Sequence, residues 1–276
     1  MNTQKVAIMY GRVDSEAPAD EMDVLVQVGT VRSALRRLGY ETMDVPVSLD
    51  LGVTAAVLRG AEPAFVFNLI ESIEGKGRLI SLAPCLLECL GIPYSGAQSD
   101  AIYLTSHKLL AKKTLEAAGI ATPAWAADPL PPLPSIAFPP PYILKSVWEH
   151  ASVGLEDSSV LRDLTDGGRG GLASELARRK AMQKDGDLYL EAFIEGREFN
   201  LALLSDGTGR GMPQNLPPAE IEFVGYPEGK PRVVGYKAKW IEGSFEFENT
   251  PRRFAFPDSD RPLIAALERI SRSLRR

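Results

Sequence analysis

Three lysines and three acids stand where local physics would not by itself place a charge. Lys108 falls in the first turn of a predicted helix over residues 106–118, capped by Thr105 or Ser106. A cation there opposes the helix dipole by about 0.3–1 kcal/mol, so Lys108 is either a solvated lysine or one that meets an anion. Lys145 closes the apolar run Tyr142-Ile143-Leu144 of a predicted strand, and a lysine in a buried strand is costly unless an anion meets it. After it, Glu149-His150-Ala151-Ser152-Val153-Gly154 is small and flexible enough to fold over phosphates with backbone N–H donors. Lys239, in Tyr236-Lys237-Ala238-Lys239-Trp240, reads equally well as a solvated residue.

Among the acids, Glu191 and Glu198 come from strands predicted to be neighbours, over residues 188–194 and 198–204. Acids so placed can hydrogen-bond ribose hydroxyls while Phe193 and Ile194 wall an adenine ring; alternatively, the two are edge-strand charges paired with Arg197. Glu71 lies just past the carboxyl end of a predicted strand, where open α/β sheets put ligands. Other chemistries find no support. His107 and His150 have no zinc spacing to Cys85 and Cys89, which read as core residues one turn apart on a helix. There is no Gly-x-Ser-x-Gly elbow, no Gly-x-x-x-x-Gly-Lys-Ser/Thr loop, and no strand-linked Gly-x-Gly-x-x-Gly. Asp206-Gly207-Thr208-Gly209-Arg210-Gly211 reads as a turn, because no helix follows it.

The positioning elements follow from periodicity. Val6-Ala7-Ile8-Met9-Tyr10 is a buried strand, with further strands over residues 42–45 and 64–69. Val24, Val28, Val31, Leu35 and Leu38 recur at helical spacing from an Asp23 N-cap to a Gly39 stop, and residues 79–90 form a helix closed by Gly91. Strands alternating with helices argue for a parallel sheet with crossovers. Seven of the 21 prolines lie from Pro129 to Pro141, a stretch read as an extended surface connection. Helices follow over residues 172–182 and 262–274, the latter with Leu263, Leu267, Ile270 and Leu274 on one face. With 276 residues, 45% hydrophobic and 24% charged, the chain has the composition of a two-part globular protein. A formal charge of −5 argues against a nucleic-acid partner. No apolar stretch reaches membrane-spanning length, and two cysteines with no signal architecture point to a reducing cytoplasm.

Taken in order, these segments resemble an ATP-grasp ligase, specifically the D-alanine–D-alanine ligase branch. The likeness runs from about Val6 to Phe256. It rests on Phe67-Asn68-Leu69-Ile70-Glu71, Gly91-Ile92-Pro93-Tyr94-Ser95-Gly96 and Ser106-His107-Lys108 with Gly119-Ile120-Ala121-Thr122-Pro123. It continues through Ile143-Leu144-Lys145 with Ser152-Val153-Gly154, Glu191-Ala192-Phe193-Ile194-Glu195-Gly196-Arg197-Glu198, Leu216-Pro217-Pro218-Ala219-Glu220-Ile221 and Ala238-Lys239-Trp240. The resemblance implies an α/β protein: an N-terminal three-layer parallel-sheet domain over residues 1–105, then an ATP-grasp α+β domain with a small subdomain over 106–205 and a partial large one over 206–276.

By the same resemblance a carboxylate attacks the γ-phosphate of ATP, and an amine captures the acyl phosphate. Lys108 and Lys145 would hold phosphates, Ser152 and Gly154 would lie in the loop over them, and Lys239 would approach from a mobile loop. Glu191, Phe193, Ile194 and Glu198 would form the adenine and ribose side, and Glu71 would stand where the family has a histidine beside an amino-acid or carboxylate substrate. Ser152 and Lys239 are the residues closest to catalysis. The chain departs from the family at Ala151-Ser152 in place of two serines and at Lys239-Trp240 in place of Lys-Tyr. The family carries its magnesium-binding Asp and Glu-x-Asn on two strands after the last helix, whereas this sequence runs to Arg276 within that helix. The expectation is therefore an ATP-dependent carboxylate–amine ligase impaired for want of magnesium ligands. The alternative is a non-catalytic relative that binds nucleotide or amino acid. The resemblance leaves room for a homodimer.

Overall fold

β1 (Lys5–Gly11) carries four consecutive buried residues, Val6, Ala7, Ile8 and Met9, because it is covered on both faces. It is the centre of a parallel sheet in the order β2-β1-β3, between β2 (Glu41–Val47) and β3 (Phe65–Asn68). Alternation assigns the faces. Val6 and Ile8 meet Val28 and Leu35 of α1 (Ala19–Arg37), while Ala7 and Met9 meet Leu58 of α2 (Leu51–Ala61) and Leu87 of α3 (Leu82–Leu90). This is the expected three-layer arrangement. The computed structural model describes residues 4–127, 136–162, 171–182, 187–205 and 213–273.

Several elements differ in extent from their expected form. α1 begins at Ala19, four residues before Asp23, after an extended Pro18 at its N-cap, with Asp20 and Glu21 in its first turn. Those acids favour the helix start, and Asp23 lies inside the helix, accepting from Gln27 at 2.9 Å. α2 was not anticipated, although Asp50 caps it by accepting from the Val53 amide. Residues 79–90 are not one helix: a 3-10 turn, Gly77–Leu79, precedes α3, which ends at Gly91 with φ +67°. Cys85 and Cys89 are exposed rather than core, because α3 turns Ala83, Pro84 and Leu87 inward instead.

α4 (Ser99–Ser106) runs into α5 (Lys108–Ala117), and the cap between them is His107, whose Nδ1 accepts from the Leu110 amide. A second sheet, antiparallel, has the order β4-β7-β5-β6, from β4 (Trp125–Ala127), β5 (Tyr142–Ser146), β6 (Val160–Leu161) and β7 (Leu188–Ala192). Tyr142, Leu144, Leu188 and Leu190 on one face pack with Leu172 and Leu176 of α6 (Leu172–Met182). Beyond it, β8 (Glu198–Asn200) stops short of β9 (Leu203–Leu204), so the expected single strand over 198–204 is two. β9 pairs with β10 (Gln214–Asn215), and β8 pairs with β11 (Ala219–Ile221).

α7 (Tyr236–Trp240) and α8 (Phe245–Glu248) follow. β12 (Arg252–Arg253) completes the sheet β12-β11-β8, and α9 (Arg261–Ser273) closes the described chain. Glu191 and Glu198 thus lie on different sheets, not on neighbouring strands. The 206–211 turn and most of the proline-rich stretch fall outside the described residues. No helix among them is long and apolar enough to cross a membrane.

Leu58 is fully buried and Leu38 is 74% exposed. Leu58→Ala is expected to cost about 3 kcal/mol and Leu38→Ala no more than about 0.5 kcal/mol, as read by urea unfolding.

Candidate functional site

The face of the second sheet opposite α6 carries polar groups among apolar ones. On it Tyr189 and Glu191 of β7 lie beside Lys145 of β5, in a register that sets Lys145 opposite Tyr189 and Ile143 opposite Glu191. Glu191 is 6% exposed and three groups hold it. Lys112 reaches Oε1 at 3.2 Å, Lys145 reaches Oε2 at 3.2 Å, and the Tyr189 hydroxyl donates to Oε2 at 3.0 Å. Lys112, itself buried, also donates to the Thr122 hydroxyl at 2.7 Å. Lys145 therefore meets its anion within the protein. Lys112 went unnoticed in the sequence. Its signal is the spacing from Lys108, one helical turn away on α5.

Lys108 is mostly buried, and its Nζ donates to the carbonyl of Glu149. Burial pulls it down to about 8, against the pull of Glu149 and with repulsion from Lys145 and Arg179 added. Glu198 faces Lys239 and Lys145 electrostatically; its burial raises it, and the two lysines offset that only in part. Lys239 is lowered by burial, with Glu198 and Glu71 opposing. Lys108, Lys145, Lys239, Glu191 and Glu198 thus form one charged cluster across the two sheets. Arg197 pairs with neither Glu191 nor Glu198. Its fork grips Glu220 at 2.6 and 2.8 Å and Asp260 at 3.0 and 2.7 Å, and Arg253 adds a contact at 2.5 Å to Glu220. The bonds from Arg197 hold Glu220 down at about 2, with Arg253 adding to them against the cost of burial.

The loop beside Lys108 has Ala151, Ser152 and Gly154 at φ +56°, +61° and +66°. It is clamped from the chain around α7. Ser152 donates to Val234 O at 2.8 Å, Trp240 Nε1 donates to Ala151 O at 2.8 Å, and the Tyr236 amide donates to Leu155 O at 2.8 Å. Lys239 is thus on a short helix docked to the loop. The Tyr236 hydroxyl donates to Asp20 on α1 at 2.7 Å, which closes the clamp on the helix beside the parallel sheet. Between this loop and the ends of β1 and α1 lies a cleft of about 380 Å³, lined by Glu71, Gly154, Tyr236, Arg12 and His150 among others. Burial, with repulsion from Lys108, pushes His150 down to about 4, which leaves it neutral at pH 7. Glu71, at the rim, accepts from Gln27 at 3.3 Å. The lysine cluster is not part of this lining. Phe193 and Ile194 lie outside the cleft as well, at the end of β7, with Ile194 65% exposed.

No family model matches the chain. Over 211 residues it is 31% identical to the D-alanine–D-alanine ligase of Gluconobacter oxydans, an alignment covering 73% of this chain and 61% of that relative's length. Over 247 residues it is 28% identical to the D-alanine–D-alanine ligase of Acidiphilium cryptum, covering 89% of this chain and 71% of the relative. Among solved structures, the D-alanine–D-alanine ligase of Bacillus anthracis complexed with ATP superposes at a TM-score of 0.62 and 17% identity, over 99% of this chain and 77% of that one. At that identity the structural likeness is one of fold.

Removing Lys112 would leave Glu191 buried with one lysine instead of two. Lys112→Met is expected to lower stability by about 3 kcal/mol, seen as a lower urea midpoint at unchanged slope. The same change at exposed Lys113 is expected to stay within about 0.5 kcal/mol.

Proposed function

We propose that this chain, a relative of the D-alanine–D-alanine ligases with their ATP-grasp fold, binds ATP at the lysine cluster and uses it to activate a small carboxylate held in the neighbouring cleft. The observation that carries the reading is the loop over residues 149–154. Its Glu149 carbonyl is bound by Lys108 of the cluster, and its Ala151, Val153 and Gly154 line the cleft. A terminal phosphate lying along this loop would sit between the two compartments. Lys108 and Lys145 would neutralise the phosphates, Lys145 exchanging part of its pairing with Glu191 for them. Ser152 and Gly154 would cover them, and Lys239 would bring a third cation from α7. Glu198 would take the ribose, and Phe193 and Ile194 would border the base. Glu71 would face the carboxylate substrate.

In this reading residues 1–105 present the substrate, while 106–205 and 206–276 grasp the nucleotide. The carboxylate would take the γ-phosphate to give an acyl phosphate and ADP, and an amine would then displace phosphate. Positioning and charge neutralisation are what such a site must supply.

Magnesium is the ion that accompanies such transfers and neutralises the developing charge. Among the described residues no group of three or more His, Cys, Asp or Glu is placed to hold a metal. Glu220 and Asp260, the buried and partly buried acids beyond the cluster, are occupied by Arg197 and Arg253. The second reading is a nucleotide-binding relative without turnover.

Calorimetric titration of ATP, together with ADP release in the presence of amino acids and magnesium, tests both readings. Lys145→Met is expected to weaken ATP binding at least about tenfold; unchanged affinity refutes the site. ADP release supports the ligase, whereas binding without release supports the second reading. The pH dependence gives an independent check. Lys108 is protonated below about pH 8, so ATP affinity is expected to be full there and to weaken as pH rises through 8. Lys108→Met is expected to abolish that slope.

A further inference from the structure

The bulkiest fully buried side chain among the described residues is a charged one. Arg179 on α6 is 1% exposed. Its Nη1 donates to the carbonyl of Val153 at 3.2 Å, and its Nε finds no acceptor among the described residues. Glu175, buried on the same helix, is already engaged by Arg178 at 2.5 Å and by Ser159 at 2.8 Å. A guanidinium taken out of water is costly unless counter-charge and hydrogen bonds meet it. Burial is the larger effect on this one and weakens its hold on its proton, against the pull of Glu175, Glu149 and Glu156.

What the guanidinium touches indicates where its charge is directed. A Cβ built on Gly154 would lie 2.5 Å from Nη1 and 3.0 Å from Cζ, so Arg179 occupies the space a side chain at 154 would take. Val153 and Gly154 are also lining residues of the cleft. The cation therefore lies directly against the loop that walls the cleft, in an interior where its field is little screened. Lys108, which binds the same loop, carries a repulsive contribution from it.

We propose that Arg179 is a positioning residue for the phosphate chain of the bound nucleotide. It fixes the 152–154 loop through Val153 and supplies, through that loop, positive charge toward the terminal phosphates. This deepens the ATP reading above and rests on it. An adenine nucleotide with one phosphate should be nearly indifferent to Arg179, and one with three should not.

The test is calorimetric titration of ATP and of AMP into the wild type and into Arg179→Met, Arg179→Gln and Arg179→Lys, with thermal unfolding as the folding control. Met and Gln are expected to weaken ATP about tenfold and AMP by less than about twofold, and Lys, which keeps the charge, to hold ATP within about threefold. Gln keeps a donor for the Val153 carbonyl, so it carries the test if Met does not fold. Three results overturn the proposal: unchanged ATP affinity in Gln, equal losses for ATP and AMP, or Lys as weak as Gln. These leave the nucleotide site standing. A wild type that takes up neither nucleotide instead removes the ATP reading, and the proposal with it.

Discussion

A carboxylate buried to 6% exposure is tolerable only if the charge around it is arranged for it, and Glu191 sets that arrangement. Lys112 ties α5 to the sheet face, Tyr189 supplies a hydroxyl from the same strand, and Lys145 is drawn toward Glu191 from the adjacent one. The first two anchors are inside the protein. Lys145 is different: its side chain is 33% exposed, so its far side remains open to an incoming anion. In the proposed function, a lysine so oriented by a buried acid would lose little conformational freedom on meeting a phosphate, which is how preorganisation helps binding.

The loop next to this cluster is held in a conformation that side chains rarely adopt. Ala151 and Ser152 both have positive φ, at a cost of about 1–3 kcal/mol each. Such residues persist only where the surroundings over-determine them. Here the bonds from Trp240 and Tyr236 to the loop, and from Ser152 to Val234, do so. The Tyr236 hydroxyl extends the clamp to Asp20. The indole N–H of Trp240 thus grips the loop backbone directly.

Periodicity made the parallel sheet legible, because strands buried on both faces read as unbroken apolar runs. It also marked Lys145, since a lysine ending such a run demands a partner. What stayed hidden depended on contacts between segments far apart in sequence. Nothing local to Lys112 tells that Glu191 will lie over it 79 residues later. The pairing of Glu191 with Glu198 as strand neighbours failed because Glu195-Gly196-Arg197 carries the chain from one sheet to another. The cysteines of α3 were misread because Ala83 and Leu87 offered an equally apolar face, and tertiary packing chose that one. Arg179 stands between Arg178 and Lys180, and nothing local to it sets it apart from them.

The Arg197 fork explains how Glu198 can be presented to the lysines. In extended backbone, successive side chains point to opposite sides. Arg197 is committed on one side to Glu220 of the middle strand β11 and to Asp260 at the start of α9, so Glu198 must project to the other. There it meets Lys239 and Lys145. Arg253 on β12 grips the same Glu220, so β11 is tied by charge to β12 and to the residue that leads into β8, as well as by backbone bonds. With each of these strands only two or three residues long, pairing alone would leave the sheet marginal. The ionic knot gives Glu198 a fixed address, and the second wall of the charged cluster depends on it.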